Sequence, residues 1–266
     1  MAMHTRDNFK KSIYVLPNLF TSMNIFCGFY AVLASVEGLF VHAAVAIIIG
    51  SVFDLLDGKI ARATNTSSQF GVEYDSLADL VTFGVAPALL MYLWALKPLG
   101  RLGWLAGFLF MACGALRLAR FNTAAANGSS SGSYFQGLPI PAAAGMNVSM
   151  ILFFSRIGVD PDKFKILILI MLYLLSFLMV SSIKYYSFKK TGLFKSMKFN
   201  KLVAIILVFV LIAYEPGVAI FLFMLIYVCS GPVSSLLFIS QASKNKDQDI
   251  HDNLDMHDET EKDMVL

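Results

Sequence analysis

Histidine, cysteine and charge are all scarce in this chain. It holds four histidines and three cysteines among 266 residues. There is no Cys-x-x-Cys pair and no Cys/His cluster, which argues against a zinc framework. Cys27, Cys113 and Cys229 each lie in apolar runs and read as small buried hydrophobes, not as a disulfide set. No Ser/His or Cys/His pair points to a covalent enzyme intermediate. The charged N-terminus lacks a leader-peptide cleavage pattern, so the first apolar run reads as retained. Nothing in the pattern calls for a nucleic-acid partner. Charged residues make up only 15% of the chain and hydrophobic ones 57%, with a mean hydropathy of +0.68. Soluble domains run about 45–50% apolar. The composition is that of an integral membrane protein.

What is there is a succession of apolar runs. A spanning helix needs about 20 apolar residues. Candidates fall at 18–36, 40–61, 72–96, 102–124, 139–156, 164–184, 200–214 and 217–240. The fold class is therefore all-α, a polytopic membrane helix bundle. With the N-terminus in the cytoplasm, 16 of the 21 basic residues fall on the inner side and 5 on the outer. That bias agrees with the positive-inside rule. It places both termini, and the stretch around residues 54–79, on the cytoplasmic side. Residues 1–16 form a polar cytoplasmic lead. Residues 185–199 belong to a lysine-rich loop that either binds anionic headgroups or only fixes topology. Residues 241–266 hold 8 of the 18 acids and too few apolar residues to fold alone, so they read as a disordered tail.

The informative stretch is Asp54–Asp79, DLLDGKIARATNTSSQFGVEYDSLAD. On a helix, Asp54 and Asp57 share a face with Gly58, Ala61 and Arg62. Gly71, Asp75 and Asp79 step by four and share another. Residues 63–70 are polar and read as the turn of a helical hairpin. Four carboxylates then converge at one depth, which like-charge repulsion forbids without cations. Oxygen donors of this kind suit Mg²⁺, Mn²⁺ or Ca²⁺. The small residues leave room for a ligand, and Arg62 supplies a cation for phosphate. Together they suggest chemistry on a phosphoanhydride.

The pattern Asp54-x-x-Asp57-Gly58-x-x-Ala61-Arg62, then eight residues, then Gly71-x-x-x-Asp75-x-x-x-Asp79 resembles the signature of the CDP-alcohol phosphotransferases at every fixed position. The resemblance implies a six-helix membrane core, here residues 17–184, followed by two additional helices within 200–240. It implies a homodimer with a cytoplasmic active site, in a bacterial-type cytoplasmic membrane. It makes Asp54, Asp57, Asp75 and Asp79 ligands of Mg²⁺ or Mn²⁺, with Asp79 also the base. Gly58, Ala61, Arg62 and Gly71 would line the CDP site. Asn18 and Thr21, in the Pro17–Thr21 opening, would either cap the first helix or contact the nucleotide.

Outside the signature, residues 16–21, 73–79, 86–87, 116–122 and 135–141 resemble the members of that family that use CDP-diacylglycerol as donor and L-serine as acceptor. Arg117 and Arg120 are three apart at the cytoplasmic end of the fourth span. They either serve as topology-setting charge or hold the serine carboxylate bidentately. Other acceptors, such as glycerol 3-phosphate or inositol phosphate, would need a more basic pocket. A hydrolase would release CMP without an acceptor. A cation transporter also uses intramembrane acids. Against it, the acids cluster in one hairpin and no internal repeat is present.

Overall fold

The structure is a computed structural model and describes residues 2–64, 68–126, 134–186 and 214–235. Helix α1 (Ala2–Val36) turns at Gly38 into α2 (Phe40–Ala63). Helix α3 runs Gln69–Leu99, α4 Arg101–Ala126 and α5 Ile140–Ile157. A 3₁₀ turn at Pro161–Phe164 leads into α6 (Lys165–Val180), and α7 covers Pro216–Ser235. Each is long and apolar enough, with its adjoining turn, to cross a membrane, which makes seven spans among the described residues. The expected span at 200–214 lies outside them apart from Tyr214, as do most of the lysine-rich loop and the whole acidic tail. Two short strands, β1 (Tyr134–Gln136) and β2 (Lys184–Tyr186), pair antiparallel with Phe135 opposite Tyr185.

Exposure is inverted relative to a soluble bundle. Phe26, Phe29, Leu55, Phe108, Phe177 and Ile226 are each more than half exposed, as lipid-facing side chains are. Cys229 is also exposed, on the outward side of α7, so the expectation of burial fails for it, whereas Cys27 and Cys113 are buried. The core is built from small residues. Ala31 and Ala34 of α1 meet Ala43, Ala44 and Ala46 of α2, all at most 5% exposed. Without a hydrophobic drive between helices in lipid, such residues let backbones approach and gain dispersion contact.

Short connections alternate between the two ends of the bundle. The turns at Gly38, Gly100 and Gly158 gather at one end. The end of α2, the start of α3, the end of α4, the start of α5, the end of α6 and the strand pair gather at the other. Gly137 makes the return after β1, with φ 77°. Its N–H donates to Ile183 O, and a Cβ there would collide with Met179 O, so only glycine fits. Pro139 takes the N-cap position of α5, with Pro141 in its first turn.

Depth in α3 is fixed by one side chain. Thr82 enters between Gly28 of α1 and Gly50 of α2, where any Cβ would press on it. Its hydroxyl donates to Asn24 O at 2.9 Å. Past Asp79 the helix widens into π turns at Leu80–Val85, with the Ala86 N–H reaching back to Val81 O. Pro87 follows and has no N–H to offer its preceding turn. Wide turns of this kind recur at functional sites.

Two local expectations need correction. Pro17 does not open the first helix. It lies inside α1, which begins at Ala2, and is buried there, so packing offsets the lost N–H and the crowding of the preceding turn. Asn18 and Thr21 both lie well inside the helix, where Ser22 donates back to the Asn18 carbonyl, so neither Asn18 nor Thr21 is a cap. The hairpin turn is also shorter than 63–70. Helix α2 continues to Ala63, and Ser68 caps α3 by accepting the Gly71 N–H at 3.0 Å.

Candidate active site

Helical spacing puts Asp54 and Asp57 on the face of α2 that meets α1 and α3. Their approach from α3 is set by Asp75 and Asp79, four apart on the facing side. One carboxylate oxygen from each of Asp54, Asp57 and Asp75 lies within 4.8 Å of the others. Asp79 closes the set from the membrane interior, its carboxyl within hydrogen-bonding distance of Asp54. Asp57 is the most enclosed of the four, only 4% exposed. Thr21 donates to its Oδ2 at 2.8 Å and so fixes that carboxylate from α1.

The site wall is tied together by polar contacts between helices. Ser22 Oγ of α1 and Tyr74 OH of α3 are 2.9 Å apart. Asn122 of α4 donates to Ser76 Oγ of α3 at 2.9 Å and to Glu73 Oε2 at 3.4 Å. These anchors were not assigned roles from sequence. Tyr74 and Asn122 sit inside stretches that carry the family resemblance, which was the available signal. Ser68 and Ser22 had none.

Beside the acids is a cleft of about 190 Å³. Asn18, Thr21, Gly58, Ala61, Arg62 and Gly71 all line it, together with Asp57 and Asp75. Every residue expected at a nucleotide therefore faces one space. Arg62 folds back over Gly58, its guanidinium about a van der Waals contact from where a Cβ would be. A side chain at position 71 would approach both Ser68 Oγ and Asn18 Oδ1. The two glycines keep the floor of the cleft backbone-thin.

A model of the CDP-alcohol phosphatidyltransferase family matches residues 14–180. The chain belongs to that family. A CDP-diacylglycerol–serine O-phosphatidyltransferase of Helicobacter pylori is 38% identical over 238 residues, 89% of this chain and 97% of the relative. One of Bacillus subtilis is 40% identical over 176 residues, 66% of this chain and 92% of the relative. An archaetidylserine synthase of Methanothermobacter thermautotrophicus is 36% identical over 178 residues, 65% of this chain and 70% of the relative.

The acid set of this CDP-alcohol phosphatidyltransferase fits a divalent cation. Asp75 Oδ1 and Asp79 Oδ1 are buried and have no hydrogen-bond partner among the described residues. Unpaired carboxylate oxygens in so small a volume repel one another unless they are protonated or positive charge lies between them. All-oxygen donors of this kind match hard cations.

The two arginines of α4 part company. Arg120 is exposed, and its guanidinium donates to Gln136 Oε1 at 2.6 Å and Val180 O at 3.4 Å. It braces α4 against β1 and the end of α6. Arg117 points inward, within electrostatic range of Asp79 and of Tyr227 on α7. Its Nε is buried and unpartnered.

Proposed function

We propose that this enzyme transfers the phosphatidyl group from CDP-diacylglycerol to the hydroxyl of L-serine, giving phosphatidylserine and CMP. The observation that carries the reaction class is the convergence of Asp54, Asp57 and Asp75 within 4.8 Å beside a cleft floored by Gly58 and Gly71. The relatives named for serine transfer support the acceptor.

Asp54, Asp57, Asp75 and Asp79 would hold Mg²⁺ or Mn²⁺. Bound there, the metal supplies charge neutralisation for the pyrophosphate and its leaving group. The remaining work falls to the protein's own side chains. Arg62 flanks the pyrophosphate from the cleft rim. Asn18, Ala61 and the two glycines receive the nucleotide. Thr21 holds Asp57 in place. Asp79, deepest of the four, takes the proton from the serine hydroxyl, a step that contributes about 10²–10⁴-fold. The serine oxygen bonds to the phosphorus nearest the diacylglycerol, the bond from that phosphorus to the CMP oxygen breaks, and CMP leaves. Arg117 holds the serine carboxylate.

The acid end faces the cytoplasm, where a nucleotide-linked donor is met, and both termini lie on that side. The distribution of lysine and arginine supports this orientation. Residues 17–184 form the catalytic core, and α7 adds a further span to it. The bacterial relatives support a bacterial-type cytoplasmic membrane, and the family resemblance supports a homodimer. Purified protein supplied with CDP-diacylglycerol and Mn²⁺ is the test, with CMP and lipid product followed with and without L-serine. Serine-dependent CMP with phosphatidylserine is the expected result. CMP with a different acceptor overturns the serine assignment, and CMP with no acceptor makes the protein a hydrolase.

A further inference from the structure

Ser68 immediately precedes α3 with extended backbone, and its Oγ accepts the Gly71 N–H at 3.0 Å. That is the N-cap bond of the helix. A serine hydroxyl carries two acceptor lone pairs and one proton, and the cap occupies only a lone pair. The proton has no acceptor among the described residues. A hydroxyl that already accepts a bond is polarised and donates more strongly. Ser68 is half-buried and lines the cleft of about 190 Å³ beside the acids.

The surroundings limit where that proton can go. Asn18 of α1 lines the same cleft. Ser68 Oγ and Asn18 Oδ1 converge on one point, 3.2 and 3.8 Å from where a Cβ on residue 71 would stand. Because residue 71 is glycine, no side chain occupies that point, and the two polar groups stay open to a ligand. Seven residues, or about 10 Å of helix, separate Ser68 from Asp75, the acid of α3 that lines the cleft. A donor whose pyrophosphate lies at the acids therefore brings its nucleoside, and not its phosphates, to Ser68. Position 68 falls among the eight residues that the family signature leaves open, so this group belongs to the chain's own sequence and not to the fixed motif.

We propose that Ser68 is a further nucleotide-binding residue, donating its hydroxyl to an acceptor atom on the nucleoside of the CDP-linked donor. The side chain that caps α3 is then also the one that meets the nucleoside, so the fold of the hairpin turn sets the donor group in place. This rests on the reading of the cleft as the CDP site.

The test uses full-length wild type, Ser68→Gly, Ser68→Ala and Ser68→Thr, purified in detergent with Mn²⁺. Each is titrated calorimetrically with CMP and melted without nucleotide. Glycine is nearly as good an N-cap as serine, whereas alanine is poor. Ser68→Gly should melt within about 2 °C of wild type, and Ser68→Ala about 2–4 °C lower. Both lack the hydroxyl, and both should lose about fivefold in CMP affinity, the size of one neutral hydrogen bond. Ser68→Thr keeps the oxygen and its proton and should bind CMP within about twofold of wild type. Titration with 2′-deoxy-CMP locates the acceptor. A loss confined to CMP assigns it to the 2′-oxygen, and an equal loss assigns it elsewhere on the nucleoside. CMP affinity that follows the melting temperatures, falling in Ser68→Ala and not in Ser68→Gly, makes Ser68 a cap alone and overturns the inference. Equal CMP affinity in all four proteins also overturns it and leaves the reading of the cleft standing. A wild type that binds no CMP overturns that reading, and this inference with it.

Discussion

Thr21 on α1 donates a hydrogen bond to Asp57 on α2, across 2.8 Å in the buried wall of the active site. The contact joins the helix that lines the cleft to the helix that carries half the acids. It also leaves Asp57 with its second oxygen to offer a cation. With Asp57 holding a metal as proposed, Thr21 would orient it in the way that outer partners do at other metal sites.

Thr21→Val removes the donor at nearly constant volume. A hydrogen bond to a charged group contributes about 1.5–3 kcal/mol, so the Mn²⁺ concentration for half-maximal activity should rise by about tenfold or more. The helix itself should persist, because the backbone ladder of α1 is untouched. A metal titration of CMP release checks this. Superimposable curves for the two proteins would show that Asp57 is held by its helix alone.

Crowded carboxylates make a second expectation, in which activity and stability move apart. Alanine at Asp54, Asp57, Asp75 or Asp79 should abolish CMP release from a folded membrane protein. In the absence of metal the same acids repel one another. Chelation should therefore lower the melting temperature of the wild type, and Mn²⁺ should restore it. Asp79→Asn should be more heat-resistant than wild type in chelator and gain less from Mn²⁺. Thermal melts with and without EDTA read this directly. Wild-type turnover in any of the four alanine variants would remove that residue from the metal site.

Much of this site was legible because its spacing is helical. Asp54 and Asp57 at three apart, and Asp75 and Asp79 at four, define faces without knowledge of packing. Apolar run length located seven spans because the bilayer sets one length for all of them. Pro17 misled because proline starts helices more often than it interrupts them, and its place inside α1 depends on tertiary support. The partners of Arg117 and Arg120 were not readable. Both lie three residues apart on one helix, and only the placement of Gln136 and Tyr227 separates the brace from the inward-facing charge.

The crossing of α1, α2 and α3 predicts a rescue. A Cβ at Gly50 would lie 2.8 Å from Thr82 Cγ2 and 3.0 Å from Asn24 Oδ1. Gly50→Ala should destabilise the protein by about 1–3 kcal/mol, the usual effect of overpacking. Thr82→Ser deletes the offending methyl and keeps the hydroxyl that donates to Asn24 O. The double variant should melt well above Gly50→Ala. Because Thr82 is three residues past Asp79, Gly50→Ala should also weaken metal-dependent activity before it unfolds. Strict additivity of the two substitutions would mean that the helices part elsewhere.

Arg120 and Arg117 should fail in different ways when changed. Arg120 donates to Gln136 and to Val180 O, and it is exposed. Its loss should loosen the strand pair and leave the acceptor pocket in place. In Arg120→Ala, amide exchange should accelerate at Gly137 and Leu138, whose N–H groups donate to Ile183 O and Leu178 O. Serine KM should stay within about twofold, the effect expected when no charged hydrogen bond to substrate is lost. Arg117→Lys keeps the charge and forfeits the bidentate fork. It should raise serine KM while leaving exchange at Gly137 and Leu138 as in wild type. Hydrogen exchange and serine kinetics on the same two preparations separate the roles. A raised serine KM in Arg120→Ala with unchanged exchange would return Arg120 to the acceptor pocket.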